Sequence, residues 1–261
     1  MANEIITTTN LKIGYKHSSR EQVICSDISI SVEPSKVTSL IGINGAGKST
    51  LLRTLAGLQP ALSGSIFIDG QNSADLNRLE VSKKLSLVLT EKLPESNLSV
   101  FELVATARQP YTNWIGTLTI TDRDLVNNAL RLTNIANFSN KKVHHLSDGQ
   151  LQRVMIARAL AQDTPVIILD EPTTHLDLEN KISIFRLIRE LAVKFNKCVL
   201  FSTHDIELAI QLSDSMIVMT TEDVVQDSPA NLIKRGVFDK IFSNSDIGFD
   251  AEKVKFIFKD I

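Results

Sequence analysis

The stretch GINGAGKS, residues 42–49, sets Gly42, Gly47, Lys48 and Ser49 in the spacing G-x-x-x-x-G-K-[ST]. An apolar run, VTSLI (37–41), leads into it. STLLRTLAGL (49–58) leaves it, with Leu51, Leu52 and Leu55 at helical spacing and Gly57 as a stop. A strand before and a helix after are the flanks a phosphate-binding loop requires. Glycines let backbone N–H groups approach phosphate oxygens, and the helix start adds the positive end of its dipole. Lys48 supplies a compact charge for β- and γ-phosphates, and the Ser49 hydroxyl is a ligand for Mg²⁺. Asn44, Gly45 and Ala46 complete the loop and Thr50 follows it into the helix, so these four join the ATP-binding set. A glycine-rich turn without ligand is the plainer reading of four spaced residues; the flanks favour a nucleotide's phosphates with Mg²⁺.

A bound nucleotide needs a metal partner and a means of activating water. VIILDEP (166–172) offers both at the end of an apolar run: Asp170 to hold Mg²⁺ through its water shell, Glu171 to polarise the attacking water as general base. STHD (202–205) ends the next apolar run, which brings His204 to the same carboxyl edge of an open sheet, where ligands of α/β folds gather. Adjacent carboxylates at a strand end also open ordinary solvated loops, and a lone histidine after a strand is more often structural. The phosphate loop favours the functional reading of both.

The bulk composition excludes other classes. Lysine and arginine total 28 against 30 aspartate and glutamate, and the longest basic run is Lys141–Lys142, so no direct nucleic-acid binding is expected. Cys25 and Cys198 are the two cysteines, and Cys198 lies in the apolar run CVLFST, which points to a buried reduced thiol and a reducing compartment. MANEIITTTN lacks the pattern of a secretion signal, and no stretch approaches eighteen apolar residues, so the chain is expected neither secreted nor membrane-spanning by itself.

The expected fold class is α/β, a P-loop NTPase with a mainly parallel core sheet. Alternating patterns over residues 4–41 predict an antiparallel β subdomain at the N-terminus. Residues 98–140 read as a helical insertion, interrupted by QPYTNWIGTLT with Trp114. From residue 165, PVIILD, LENKISIFRLIRELAVKF, KCVLFST, IELAIQLS and DSMIVM alternate as parallel strands and crossover helices. The tail reads as a helix, NLIKRGVFDKIF, and a final edge strand, VKFIF.

HHLSDGQLQRV (144–154) opens a helix with a small polar loop. Ser147 and Gln150 make a capping box, and the same helix start is a site for an anion. With this loop the chain resembles the ATP-binding subunits of ABC transporters. LSDGQ looks like that family's signature loop, Tyr15 matches the aromatic that stacks on adenine, THLD (174–177) matches the D-loop with Asp177, and His204 matches the switch histidine. The resemblance covers nearly the whole chain. It implies a head-to-tail homodimer in which Ser147, Asp148, Gly149 and Gln150 close over ATP held by the partner chain. It implies a nucleotide core at about 1–90 and 160–261 with a helical subdomain at about 91–159. Partners would be integral membrane permease subunits and, indirectly, a substrate-binding protein, which places the chain peripherally on the cytoplasmic face of the membrane.

Two places depart from the pattern. Asp148 stands where the signature has a small residue and would repel phosphate unless its carboxylate points away. Where the family has a glutamine that reaches Mg²⁺, LSLVLTEK offers Thr90, with Glu91 a substitute metal ligand. VFELVATARQPYTNWIG and RVMIARALAQDTPVIILDEPTTHLDL are similar to importers of iron chelates, haem and cobalamin. Metal-chelate import is thus the leading expectation. An exporter ATPase, a soluble ATP-switch protein and a nucleotide-binding regulator without turnover stay open.

Overall fold

β1 (Ile6–His17) buries Ile6, Leu11 and Ile13 and pairs antiparallel with β2 (Arg20–Ile28), as the alternation of its sequence requires. This computed structural model describes residues 4–17, 20–90, 96–220, 223–241 and 246–258. After β3 (Ser31–Val32), the chain enters β4 (Val37–Gly42), buried throughout, and then α1 (Lys48–Leu55). It returns through β5 (Ser63–Ile68) and β6 (Gln71–Asn72). The N-terminal sheet runs β2-β1-β5-β6 with β3 on β1, antiparallel at every pairing.

The second sheet takes β4 as an inner strand. α2 (Arg78–Lys84) leads to β7 (Leu85–Val88), and β8 (Val166–Leu169), β9 (Cys198–Ser202), β10 (Ser215–Met219) and β11 (Val224–Asp227) follow. Their order is β11-β10-β4-β9-β8-β7, parallel except for β11. Both faces are covered, which is why the central strands β8 and β9 read as apolar runs. Ile167, Leu169, Val199, Phe201, Met216 and Val218 face one core, shared with α6 (Leu178–Phe195) and α7 (Ile206–Leu212). Val166, Ile168, Cys198, Leu200 and Ile217 face the other, closed by α1 and the N-terminal sheet. Within that second core, burial pushes the Cys198 thiol up to about 12.

A third core joins α3 (Val100–Ala105), α4 (Ile120–Leu132) and α5 (Asp148–Ala161). Its keystone is a buried ion pair, Arg108 Nε to Asp122 Oδ1 at 2.8 Å. Arg108 also donates through Nη1 to the carbonyls of Ala161 (2.9 Å) and Gln162 (3.2 Å) at the end of α5. Asp122 caps α4 by accepting from the Thr119 hydroxyl and N–H, and these bonds with the guanidinium hold its carboxyl below the usual range.

The tail differs from its sequence pattern. Gly236, at φ 63°, divides it into α8 (Pro229–Lys234) and α9 (Val237–Ile241). The last strand does not border the large sheet. It forms a separate hairpin, β12 (Ile247–Asp250) with β13 (Lys255–Phe258), through Phe249 and Phe256 stacked beside Phe238. An aromatic cluster outcompetes the sheet edge for these residues.

Replacing Asp122 with Ala is expected to cost about 3–5 kcal/mol, because it strands a buried guanidinium. Urea unfolding checks this. The contribution of Asp122 is present above the ordinary carboxylate pKa and is lost as pH falls through its lowered value.

Candidate active site

The carboxyl ends of β4, β8 and β9 meet on one edge of the parallel sheet, with β9 between the other two. Gly42 pairs with Met219, and a Cβ there would stand 2.4 Å from the Met219 carbonyl oxygen. Only glycine keeps β4 against β10 at that point. Gly47 caps α1 at φ 100°, and a Cβ would meet Ile24 Cγ2 at 2.5 Å. Between them the Ala46 N–H donates to Ile43 O (3.2 Å), Gly45 takes φ 81°, and Asn44 is exposed.

Lys48 is 6% exposed, and its Nζ donates to Gly42 O (2.9 Å) and Ile43 O (3.2 Å). Burial lowers its pKa, while the nearby negative charges of Glu171 and Asp170 oppose the shift. Ser49 is half-buried beside it, and Thr50 is buried one residue on. The Tyr15 hydroxyl lies 3.3 Å from Thr50 Oγ1, so the ring flanks the start of α1. A cavity of about 380 Å³ opens beside it, lined by Lys16, Glu21 and Gln59.

Asp170 follows β8 and is 3% exposed. Its Oδ1 accepts from the Ser202 hydroxyl at 2.7 Å and its Oδ2 from the Thr90 hydroxyl at 3.1 Å. Glu171 adopts φ 47°, and its N–H donates to Ser202 Oγ at 2.8 Å. The Glu171 carboxylate accepts from Thr174 Oγ1 on Oε2 (3.0 Å) and lies 2.5 Å from His204 Nε2 on Oε1. The structure thus brings together Lys48, Asp170, Glu171, His204 and Thr90. Ser202 and Thr174 were not singled out by their sequence context; a hydroxyl at a strand end is too common a feature to mark a site. Glu91 lies outside the described residues.

Residues 146–150 stand elsewhere. Ser147 caps α5, its Oγ accepting from Gln150 N (3.4 Å) and its N–H donating to Gln150 Oε1 (3.2 Å). Ser147 and Asp148 are exposed. A Cβ on Gly149 would lie 3.4 Å from Asn180, whose N–H and amide donate to Asp177 at 2.8 and 3.0 Å. Among the described residues no hydrogen bond joins 146–150 to 42–49 of the same chain. Residues 146–150 and Asp177 adjoin through Asn180, with Ser147, Asp148 and Asp177 exposed.

Comparison with known proteins gives a consistent picture. The family described as ABC transporter matches residues 25–174. The achromobactin transport ATP-binding protein of Dickeya dadantii (strain 3937) is 35% identical, over 91% of this chain and 87% of that protein. The iron(3+)-hydroxamate import ATP-binding protein of Bacillus subtilis (strain 168) is 34% identical, over 86% and 82%. Among solved structures, a dimeric bacterial ABC transporter cassette superposes with a TM-score of 0.75 at 27% identity, over 86% of this chain and 98% of that one.

Gly47→Ala is expected to weaken binding of a fluorescent ATP analogue roughly tenfold or more, since a side chain at this φ costs about 1–3 kcal/mol before the contact with Ile24 is counted. Unchanged affinity would show that the loop conformation is not needed for binding.

Proposed function

We propose, on the premise that this chain belongs to the ABC transporter family as one of its ATP-binding, ATP-hydrolysing subunits, that it powers import of an iron-siderophore type of metal chelate through a separate membrane permease. The observation that carries the enzymatic part is the convergence of Lys48, Asp170, Glu171 and His204 on one sheet edge. The cargo class is supported by relatives that match most of the chain and are named for achromobactin transport and iron(3+)-hydroxamate import.

In this reading the loop N–H groups and Lys48 bind the phosphates, and Tyr15 stacks on adenine. Lys48 exchanges its two loop carbonyls for phosphate oxygens. The donors at the site fit Mg²⁺: the Ser49 hydroxyl and the Asp170 carboxylate are hard oxygen ligands, too few to cage an ion without phosphate and water. When bound, the cation neutralises charge on the transferred phosphoryl group. Glu171 takes the proton of the attacking water, and His204, already beside it, holds the carboxylate and reaches toward the γ-phosphate. Two chains pair head to tail, so the Ser147–Gln150 loop of one completes the ATP site of the other. Asp148, in the first turn of α5, interacts favourably with the helix dipole. The chain divides into a nucleotide core of about 1–90 and 160–261 and a helical subdomain of about 91–159.

The permease docks in a groove of about 700 Å³ between the second and third cores, where Leu55, Leu58, Val81, Leu89, Met155 and Arg158 line the wall. Leu103 packs in the third core at 7% exposure, whereas Leu58 at the groove is 64% exposed. Among the described residues no helix is long and apolar enough to cross a membrane, and attachment to the cytoplasmic face is through the permease.

Glu171→Gln should slow hydrolysis by roughly 10²- to 10⁴-fold while leaving ATP binding intact, so that an ATP-bound dimer accumulates on gel filtration. Turnover within a few-fold of the unaltered chain would place the base elsewhere. Leu58→Glu should abolish ferric siderophore uptake by cells that depend on this chain while the purified protein still hydrolyses ATP. Loss of both activities would remove the groove as a docking face.

A further inference from the structure

We infer that Thr90 and Ser202 are positioning residues that clamp the metal-holding carboxylate of Asp170 from the two strands beside it. The inference rests on the ATPase reading of the site. β7 and β9 flank β8 in the sheet, and each delivers one hydroxyl to one carboxylate oxygen: Thr90 to Oδ2 at 3.1 Å, Ser202 to Oδ1 at 2.7 Å. The backbone supports the same alignment, since the Asp170 N–H donates to Val88 O at 2.8 Å, two residues before Thr90.

Ser202 has no freedom to turn. Its oxygen accepts from the Glu171 N–H at 2.8 Å, which leaves its single proton for Asp170. One hydroxyl, 0% exposed, therefore sets the carboxylate of Asp170 and the backbone of Glu171 together. Thr90 stands where the resemblance places a glutamine. Its short side chain reaches Asp170, so the contribution at this position passes through the carboxylate. Held on both oxygens, the carboxylate keeps one rotamer, and capturing the cation requires no reorientation. The two clamps differ in consequence: among the described residues the Thr90 hydroxyl bonds to Asp170 alone, whereas Ser202 also anchors the general base.

Mn²⁺ binding, followed by electron paramagnetic resonance on the full chain with a non-hydrolysable ATP analogue, tests the clamp. Thr90→Val and Ser202→Ala should each weaken Mn²⁺ binding by about 10- to 100-fold, and Thr90→Ser should restore it to within about threefold. Raising Mg²⁺ should recover the turnover of Thr90→Val but not of Ser202→Ala, which also leaves the Glu171 N–H unpaired. Ser86→Ala serves as the structural control. Its buried hydroxyl lies on β7 and donates to Val166 O, away from Asp170, so Mn²⁺ affinity should stay unchanged. Unaltered Mn²⁺ affinity in Thr90→Val, or equal loss in Thr90→Ser and Ser86→Ala, overturns the inference while the ATPase reading stands. Failure of the unaltered chain to bind Mn²⁺ with the analogue overturns both. Should Ser202→Ala not fold, the Thr90 pair alone decides.

Discussion

A buried ammonium is the constraint around which the site is organised. Lys48 begins a helix whose other side is packed into an apolar core, and its charge is withdrawn almost wholly from water. Such a burial costs several kcal/mol unless oxygen atoms and opposite charges surround it. Two loop carbonyls meet the ammonium directly, and Asp170 and Glu171 supply the opposing charge from the end of β8. β9 lies between β4 and β8, so its end brings the buried Ser202 and the exposed His204 beside the acids.

Short hydroxyl side chains hold this arrangement still. Thr90, Ser202 and Thr174 each fix one carboxylate oxygen, and all sit at or just beyond the ends of strands whose positions the core determines. Glu171 has a positive φ, a conformation that costs about 1–3 kcal/mol in a residue with a side chain. Its N–H bond to Ser202 offsets part of that strain. Thr174 and His204 meet the Glu171 carboxylate, whereas Thr90 and Ser202 hold that of Asp170, so the two adjacent carboxylates have separate partners.

The helical part is built on different terms. Its core meets the first core through α5, where Met155 and Leu160 pack against both, and polar links join the two parts as well. Gln162 donates to Ser82 O and Leu85 O, while Arg153 bridges Thr133 O and Ser183 Oγ. These apolar and polar contacts together form the seam between the helical part and the sheet. The groove lies along this seam, and strand β7, ending near Thr90, runs from the groove wall to Asp170. Leu87 and Leu89 of the groove wall thus lie just before Thr90 in the chain, whose hydroxyl holds Asp170.

The phosphate loop, the acids of VIILDEP, the alternation of strands and helices after residue 165 and the capping box at Ser147 were legible in the linear sequence. Each is a local pattern whose chemistry lies within a few residues and its immediate flanks. The exposure of Trp114 and the burial of Leu103 were not, because an apolar run of mixed period does not say which face meets a neighbour. Nor was the hairpin of the tail, which depends on aromatic contact between Phe238, Phe249 and Phe256. The clamp on Asp170 joins residues 32 and 80 positions away in the chain. By itself the sequence determined which groups could bind phosphate, metal and water. Only the tertiary structure decided which hydroxyls hold them, because strand order brings β7 and β9 to either side of β8, and that adjacency is a property of packing rather than of any one segment.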